Sequence, residues 1–237
     1  MGVTIHFRGS LDEINRIYEL MDEVTDICES MDWEYNRVDD DWEEDPKLTE
    51  DKTMMKDGET GLKGIFFKPN PDCEVIALTF TGEGYLNSMI NLAAGKTKEA
   101  DELPWVFAKT QFAGAENHVS IVKLLKYLKH KYSSNLEVRD EGGYWETGDI
   151  NQVAIRMEVI NNAMKTIEES LSELQNLDPQ NLTKDTIMKK IEAVIQKLGK
   201  EQGIEMRVLR IDQVFEEKGI NLDLDINDLD VEDSRLN

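Results

Sequence analysis

Hydrophobic and polar positions along the chain predict the same strand–helix–strand order twice. In residues 3–45, the alternating segment VTIHFRGS precedes a segment with helical spacing, LDEINRIYELMDEVTDICESM, and then WEYNRVDDDWEE. In residues 106–149, the corresponding segments are VFAKTQFAGA, ENHVSIVKLLKYLKHKY and LEVRDEGGYWETGD. Alternation is typical of strands, and apolar steps of three and four are typical of amphipathic helices. We therefore predict two pseudo-repeated βαβ halves, with Phe7 and Phe112 in equivalent environments.

Two short apolar runs between these halves predict a β-hairpin. They are GLKGIFFK and EVIALTFT, joined by the turn PNPDC, whose prolines cannot donate hydrogen bonds to a strand ladder. Together with the two halves they predict an α+β domain over residues 1–148. We expect one mixed β-sheet in a ferredoxin-like or related two-layer arrangement, with right-handed crossovers.

Polar residues mark the starts of two predicted helices. Ser10 and Glu13 have the spacing of a capping box, in which each side chain bonds the other residue's backbone N–H. Asp149 and Gln152 have a similar relation before a second apolar stripe. We therefore expect helices that begin just after Ser10 and just after Asp149.

From Asp149 onward the pattern changes to a helical seam. Its apolar residues recur at alternating steps of four and three: Val153, Met157, Ile160, Met164, Ile167, Leu171 and Leu174. Another apolar stripe with helical spacing follows this seam after a polar loop. Residues 149–200 are therefore predicted to form a C-terminal helical hairpin. The seam could be satisfied within the hairpin, against the sheet, or by a second copy, which predicts a homodimer through residues 150–198. Residues 201–237 are predicted to be a short α/β extension and an acidic tail.

Charge narrows the choice of partners. The chain of 237 residues has a formal net charge of -22, and residues 11–60 contain 19 acidic and 5 basic residues. Such a charge repels nucleic acid and anionic membranes, so neither is an expected partner. A basic protein is the predicted partner. No segment has the length and apolarity of a membrane span, and no signal-peptide pattern stands at the N-terminus, so we expect a cytoplasmic protein.

One predicted sheet face is cationic despite this acidity. Strand alternation places Val3, Ile5 and Phe7 on one side and the polar residues of the same strand on the other. The same rule adds residues from the strands near 106–112 and 136–140. The predicted binding residues on this face are His6, Arg8, Lys109, Gln111 and Arg139. They are either ordinary solvated side chains or an anion site in which Arg8 and Arg139 hold a carboxylate or phosphate.

The segment EGGYWETGD is the most distinctive string in the chain. Glu141 and Glu146 flank a double-glycine turn and would suit a general acid and base if a pocket forms there. Trp145 is included with them as a candidate, although it and Tyr144 are better suited to closing the sheet edge than to stacking on a ligand. Glu141, Trp145 and Glu146 complete the candidate binding site.

Other chemistry is not indicated. The string AAGKT lacks a glycine of the phosphate-binding loop, and the three histidines and two cysteines lack metal-ligand spacing. No metal and no cofactor are therefore predicted. The leading hypothesis is an acidic interaction or regulatory protein, immunity-like and without catalysis. The alternative is an enzyme or small-molecule binder that uses the polar sheet face or the EGGYWE turn.

Overall fold

The computed structural model describes residues 2–42, 60–96 and 102–175, together with residues 47 and 193. Its strands, in chain order, are β1 (Thr4–Arg8), β2 (Glu34–Asp39), β3 (Lys63–Lys68), β4 (Ile76–Phe80), β5 (Val106–Lys109) and β6 (Glu137–Asp140). Its helices are α1 (Ile17–Ser30), α2 (Met89–Ala93), α3 (Ala115–Lys131), α4 (Tyr144–Thr147) and α5 (Ile150–Gln175). The combination is α+β, as the sequence predicts.

The described strands form two antiparallel sheets where one mixed sheet was predicted. The first has the order β5-β1-β6, and the second has the order β2-β3-β4. In the first sheet β1 lies between β5 and β6 and is antiparallel to both. The prediction of a single sheet was wrong because β2 pairs with β3 and does not return to β1. Alternation reports which residues face inward, but not which strand will be the neighbour.

The predicted hairpin is confirmed. Strands β3 and β4 pair antiparallel, with Ile65 opposite Leu78 and Phe67 opposite Ile76. The loop after β4 also bonds the segment after β1, because Leu86 N–H donates to the Gly9 carbonyl at 2.8 Å. This bond ties the hairpin to the end of the first sheet's central strand.

A continuous apolar core lies under β1 and beneath two helices. Ile5 and Phe7 of β1 are completely buried, as strand alternation predicts. Helix α1 buries the face that includes Leu20 and Val24, and α3 buries the face that includes Leu125. Burying such side chains stabilises the fold by about 1.5–3 kcal/mol each.

The two strand–helix–strand segments share element order, but their aligned phenylalanines do not share an environment. Phe7 is buried, whereas Phe112 is 52% exposed because β5 ends at Lys109 and the chain turns before α3. The predicted equivalence of Phe7 and Phe112 was therefore wrong. The pseudo-repeat and the ferredoxin-like arrangement stay predictions.

The predicted helix starts have different outcomes. Ser10 forms an isolated bridge with Tyr85, and the helical turns begin only at Ile14, so the capping box of Ser10 and Glu13 does not form. The backbone of Ser10 pairs with that of Tyr85, so Ser10 lies outside the helix and cannot act as its N-cap. Asp149 Oδ1 instead accepts a hydrogen bond from Asn151 N–H at 2.9 Å, as an N-cap carboxylate does.

Helix α5 begins as predicted and packs its first turns on the domain. Val153 and Met157 are buried with Val3 and Val119 in a small second apolar cluster. The second helix of the predicted hairpin lies outside the described residues apart from residue 193, as does all of residues 201–237. The chain divides into two compact units, residues 1–161 and 162–237. None of the described helices has the length and apolarity needed to cross a membrane.

A cationic and aromatic face on the first sheet

Three rows of side chains cover the polar face of the first sheet. The register places Lys109 beside Thr4, Phe107 beside His6 and Arg139 on the other side of His6. Arg8 stands opposite Glu137 in the third row. Alternation along β1 therefore brings four of the predicted site residues onto one face: His6, Arg8, Lys109 and Arg139. We call this surface the polar sheet face.

Trp105 lies across this face and contacts two guanidinium groups. The guanidinium carbon of Arg8 is 4.5 Å from the centre of its ring, and that of Arg139 is 4.4 Å away. Arginine stacks on indole with a favourable cation–π energy of about 0.5–2 kcal/mol. The stack also leaves the guanidinium edges free to donate hydrogen bonds. Trp105 thus holds two cations side by side on this face.

The two arginines differ in their other partners. Arg8 donates to Glu137 Oε2 from Nε at 3.2 Å and from Nη2 at 3.1 Å, and its side chain is only 17% exposed. Arg139 is exposed and has no carboxylate partner among the residues that the structure describes. Arg139 is consequently the guanidinium of this face that an external anion would meet first.

Glu141 and His6 form the other end of the face. Glu141 Oε2 accepts a hydrogen bond from Thr4 N–H at 2.9 Å, while its Oε1 is 3.7 Å from His6 Nε2. Arg156 of α5 donates to the Glu141 carbonyl at 2.6 Å. These contacts fix Glu141 at the sheet edge and bring a further cation, Arg156, beside it.

A cavity of about 640 Å³ opens between this end of the face and α5. Its polar lining includes Thr4, His6, Lys109, Glu141 and Arg156. Its other wall consists of aliphatic side chains of α5: Ile155, Val159 and Ile160. The volume lies in the range of small-ligand sites, about 300–1,000 Å³. The cavity therefore combines cationic groups with an apolar wall.

Three of the predicted site residues do not join the polar sheet face. Gln111 is buried because β5 has ended, and it bonds Val3 N–H, the Met157 carbonyl and Asn161 Oδ1 at 2.8–3.0 Å. Trp145 lies on α4 and packs partly buried against the core. Glu146 is exposed on the same short helix. Gln111 thus anchors α5 to the sheet.

A buried cluster of Thr110, His118 and Asp140 lies on the opposite side of this sheet. His118 Nδ1 is 2.7 Å from Thr110 Oγ1, and His118 Nε2 is 2.9 Å from Asp140 Oδ1. The Nε2 contact is close but is not aligned as a hydrogen bond. The side chains of His118 and Asp140 are completely buried. A hydroxyl, an imidazole and a carboxylate are thus joined where no substrate can reach them.

Asp140 is held ionised within this cluster. Burial alone would raise its pKa, but His118 and the backbone N–H groups of Trp145 and Gly142 outweigh burial and lower it. Those N–H groups donate to Asp140 at 2.9 and 2.7 Å. The cluster therefore ties the end of β6 to α4 and to the first turn of α3.

The double-glycine turn lets the chain pass close to this cluster. A Cβ on Gly142 would lie 2.5 Å from His118 Nε2, and Gly143 has a φ of +81°, which favours glycine. The two glycines of the EGGYWE string are thereby explained, Gly142 by its packing against His118 and Asp140 and Gly143 by its left-handed backbone conformation. This accounts for its glycines without a catalytic role for Glu141 and Glu146.

Sequence reasoning missed Trp105, Arg156 and the buried cluster. Trp105 stands two residues before Phe107, so the alternation that describes β5 would have placed it on the polar face. Nothing in the sequence indicated Arg156, because its site depends on how α5 packs. Among the described residues, no group of three or more histidine, cysteine or acidic side chains is placed to hold a metal ion.

Comparisons of the chain with protein-family models, with curated proteins and with solved structures found no match. Function is therefore inferred from the geometry of the site.

Proposed function

We propose that this protein is an interaction or regulatory protein without catalysis, and that its polar sheet face binds an acidic ligand. The observation that carries the proposal is the position of Arg139, which is exposed, stacked on Trp105 and adjacent to His6 in the sheet. A guanidinium held in place by an indole loses less conformational entropy on binding a carboxylate than a free side chain would. Carboxylates and phosphates are the groups that match its paired donors.

The overall charge supports a short-range mode of recognition. A chain with net charge -22 repels anions at a distance, so an acidic ligand must be held by contacts at the face itself. Lys109 and Arg156 line the neighbouring cavity together with His6, and the two cations extend the cationic surface beyond Arg139. Close contacts with a fitted ligand favour selectivity over general attraction to polyanions.

The buried cluster supports the absence of catalysis. Thr110 is the hydroxyl that His118 contacts, and it is completely enclosed by the fold. A nucleophile needs access to its substrate. The cluster has instead the contacts of a structural support for α3, α4 and β6.

A direct binding experiment tests the proposal. Full-length protein is titrated into fluorescein-labelled hexaglutamate, and anisotropy reports binding. We expect Arg139→Gln to weaken binding about tenfold, the equivalent of about 1.4 kcal/mol. Arg37→Gln is the matched control, because Arg37 is also an exposed strand arginine but lies on β2 and pairs with Asp22. Equal affinities for the wild type and both variants would refute the proposed site.

A second candidate function is the binding of a basic protein. Asp26, Asp32 and Glu34 are exposed near the end of α1 and the start of β2, and no ion-pair partner is described for them. Exposed carboxylates that are not engaged in ion pairs raise the rate of association with cationic partners. Capture of a lysine-rich peptide that is lost in the triple variant Asp26→Asn, Asp32→Asn, Glu34→Gln would favour this function.

The homodimer through residues 150–198 also stays a proposal. It is supported by α5, on which Ile155 is 60% exposed and Met164 is 40% exposed. Exposed aliphatic residues along a helix are typical of interfaces. Light scattering distinguishes a dimer from a monomer of 27.2 kDa.

A further inference from the structure

We infer that the ligand of the polar sheet face is an extended acidic peptide in which aliphatic and acidic side chains alternate. This inference rests on the proposed function and adds the class of ligand. It is drawn from the two unlike walls of the cavity, one cationic and one aliphatic. Neither wall alone selects a peptide.

The aliphatic wall is a continuous part of α5. Ile155 and Val159 are four residues apart and therefore lie on the same side of the helix. They are 60% and 36% exposed, and both line the cavity. Covering them would remove apolar surface from water, which favours binding. An inorganic anion or a short dicarboxylate cannot make this contact.

The wall of the cavity opposite α5 belongs to the sheet and continues along β1. Thr4 and His6 line the cavity, and Arg8 follows them on the polar sheet face outside it, so this surface extends for about 13 Å at 3.3 Å per residue. Lys109 lies at one end of this line and the stack of Trp105 at the other. A line of this length matches about five residues of extended chain.

An extended peptide places successive side chains on opposite sides. In the cavity, one side would meet the cations of the sheet and the other would meet α5. Acidic residues on the first side and aliphatic residues on the second satisfy both walls at once. The aliphatic wall thus favours this peptide over nucleic acid, which has no aliphatic side chains.

Two labelled peptides test the inference with full-length protein. One alternates leucine and glutamate over six residues, and the other alternates serine and glutamate. We expect the leucine peptide to bind about tenfold more tightly. Equal affinities would refute the aliphatic wall and leave the proposed function intact. Failure of both peptides and of hexaglutamate to bind would refute the proposed function as well.

Substitutions on α5 test whether this helix causes the tighter binding of the leucine peptide. Ile155→Ser should weaken binding of the leucine peptide about tenfold and leave the serine peptide unchanged. Ile90→Ser is the matched control, because Ile90 is 69% exposed on α2 and away from the cavity. An equal loss in both variants would contradict the inference.

Light scattering under the same conditions separates a peptide site from an interface between copies. If Ile155→Ser converts a dimer into a monomer and leaves both peptide affinities unchanged, the wall is a dimer interface and the inference is wrong. Equal displacement of the leucine peptide by single-stranded DNA at the same charge concentration would also overturn it.

Discussion

His118 Nε2 lies 2.9 Å from Asp140 Oδ1, and both side chains are completely shielded from solvent. The contact joins the first turn of α3 to the end of β6, through two residues that lie about twenty positions apart in the sequence. A buried carboxylate is costly unless a donor or a cation faces it. The stability of the fold therefore depends on His118, the side chain that faces this buried carboxylate.

Replacing His118 should destabilise the protein strongly. In His118→Ala, Asp140 keeps its backbone donors but loses its side-chain partner, so we expect a loss of about 1–3 kcal/mol in the free energy of unfolding. His130→Ala is the matched control, because His130 is exposed near the end of the same helix. Urea denaturation followed by circular dichroism measures both. A similar small effect for the two variants would refute the role of His118.

Gly142 should not tolerate a methyl group. Its Cβ would meet His118 Nε2 at 2.5 Å and Asp140 Oδ1 at 3.0 Å, so Gly142→Ala should cost about 1–3 kcal/mol of stability. The cost should fall when His118 is also alanine, because the nearest obstructing atoms are then absent. A double-mutant cycle measures this coupling. Strict additivity of the two substitutions would contradict the packing account.

Local alternation in the sequence correctly predicted the two sides of β1. Val3, Ile5 and Phe7 lie inward and His6 and Arg8 lie outward, because a strand with one covered face needs no distant information to set its sides. The same rule placed Gln111 wrongly, since the strand had already ended at Lys109. Alternation is informative only as far as the strand continues.

The rest of the candidate site depends on tertiary packing. Trp105 reaches Arg139 across β1, so their contact requires the order β5-β1-β6, which the sequence did not predict. Arg156 reaches Glu141 only because α5 packs beside β1. The cluster around His118 likewise joins three elements. None of these contacts has a spacing in the sequence that would indicate it.

Both thiols should be unreactive in the folded protein. Cys28 and Cys73 are buried, and desolvation raises the pKa of each to about 11. At pH 8 about one thiol in a thousand would then be ionised, and only the thiolate reacts with a disulfide reagent. We expect slow reaction with Ellman's reagent in buffer and rapid reaction of two thiols in guanidinium chloride. Fast reaction of either thiol without denaturant would contradict the burial of Cys28 on α1 and of Cys73 in the turn before β4.

Acid should weaken the fold in part through Asp140. The pKa of Asp140 is lower in the folded protein than its ordinary value of about 3.9, so the folded state binds fewer protons than the unfolded state between these two pKa values. The stabilisation is therefore complete above about pH 4 and is lost as the pH falls through the folded pKa.

The variant Asp140→Asn cannot make this titration, so we expect a shallower fall in its unfolding free energy from pH 4 to pH 2 than in the wild type. Other carboxylates titrate in the same range, and the difference between the two proteins isolates the contribution of Asp140. In His118→Ala, burial acts without the opposing imidazole, so its slope should also be shallower. Urea denaturation at each pH gives the free energies. Parallel curves for the three proteins would show that Asp140 is not held ionised by the cluster.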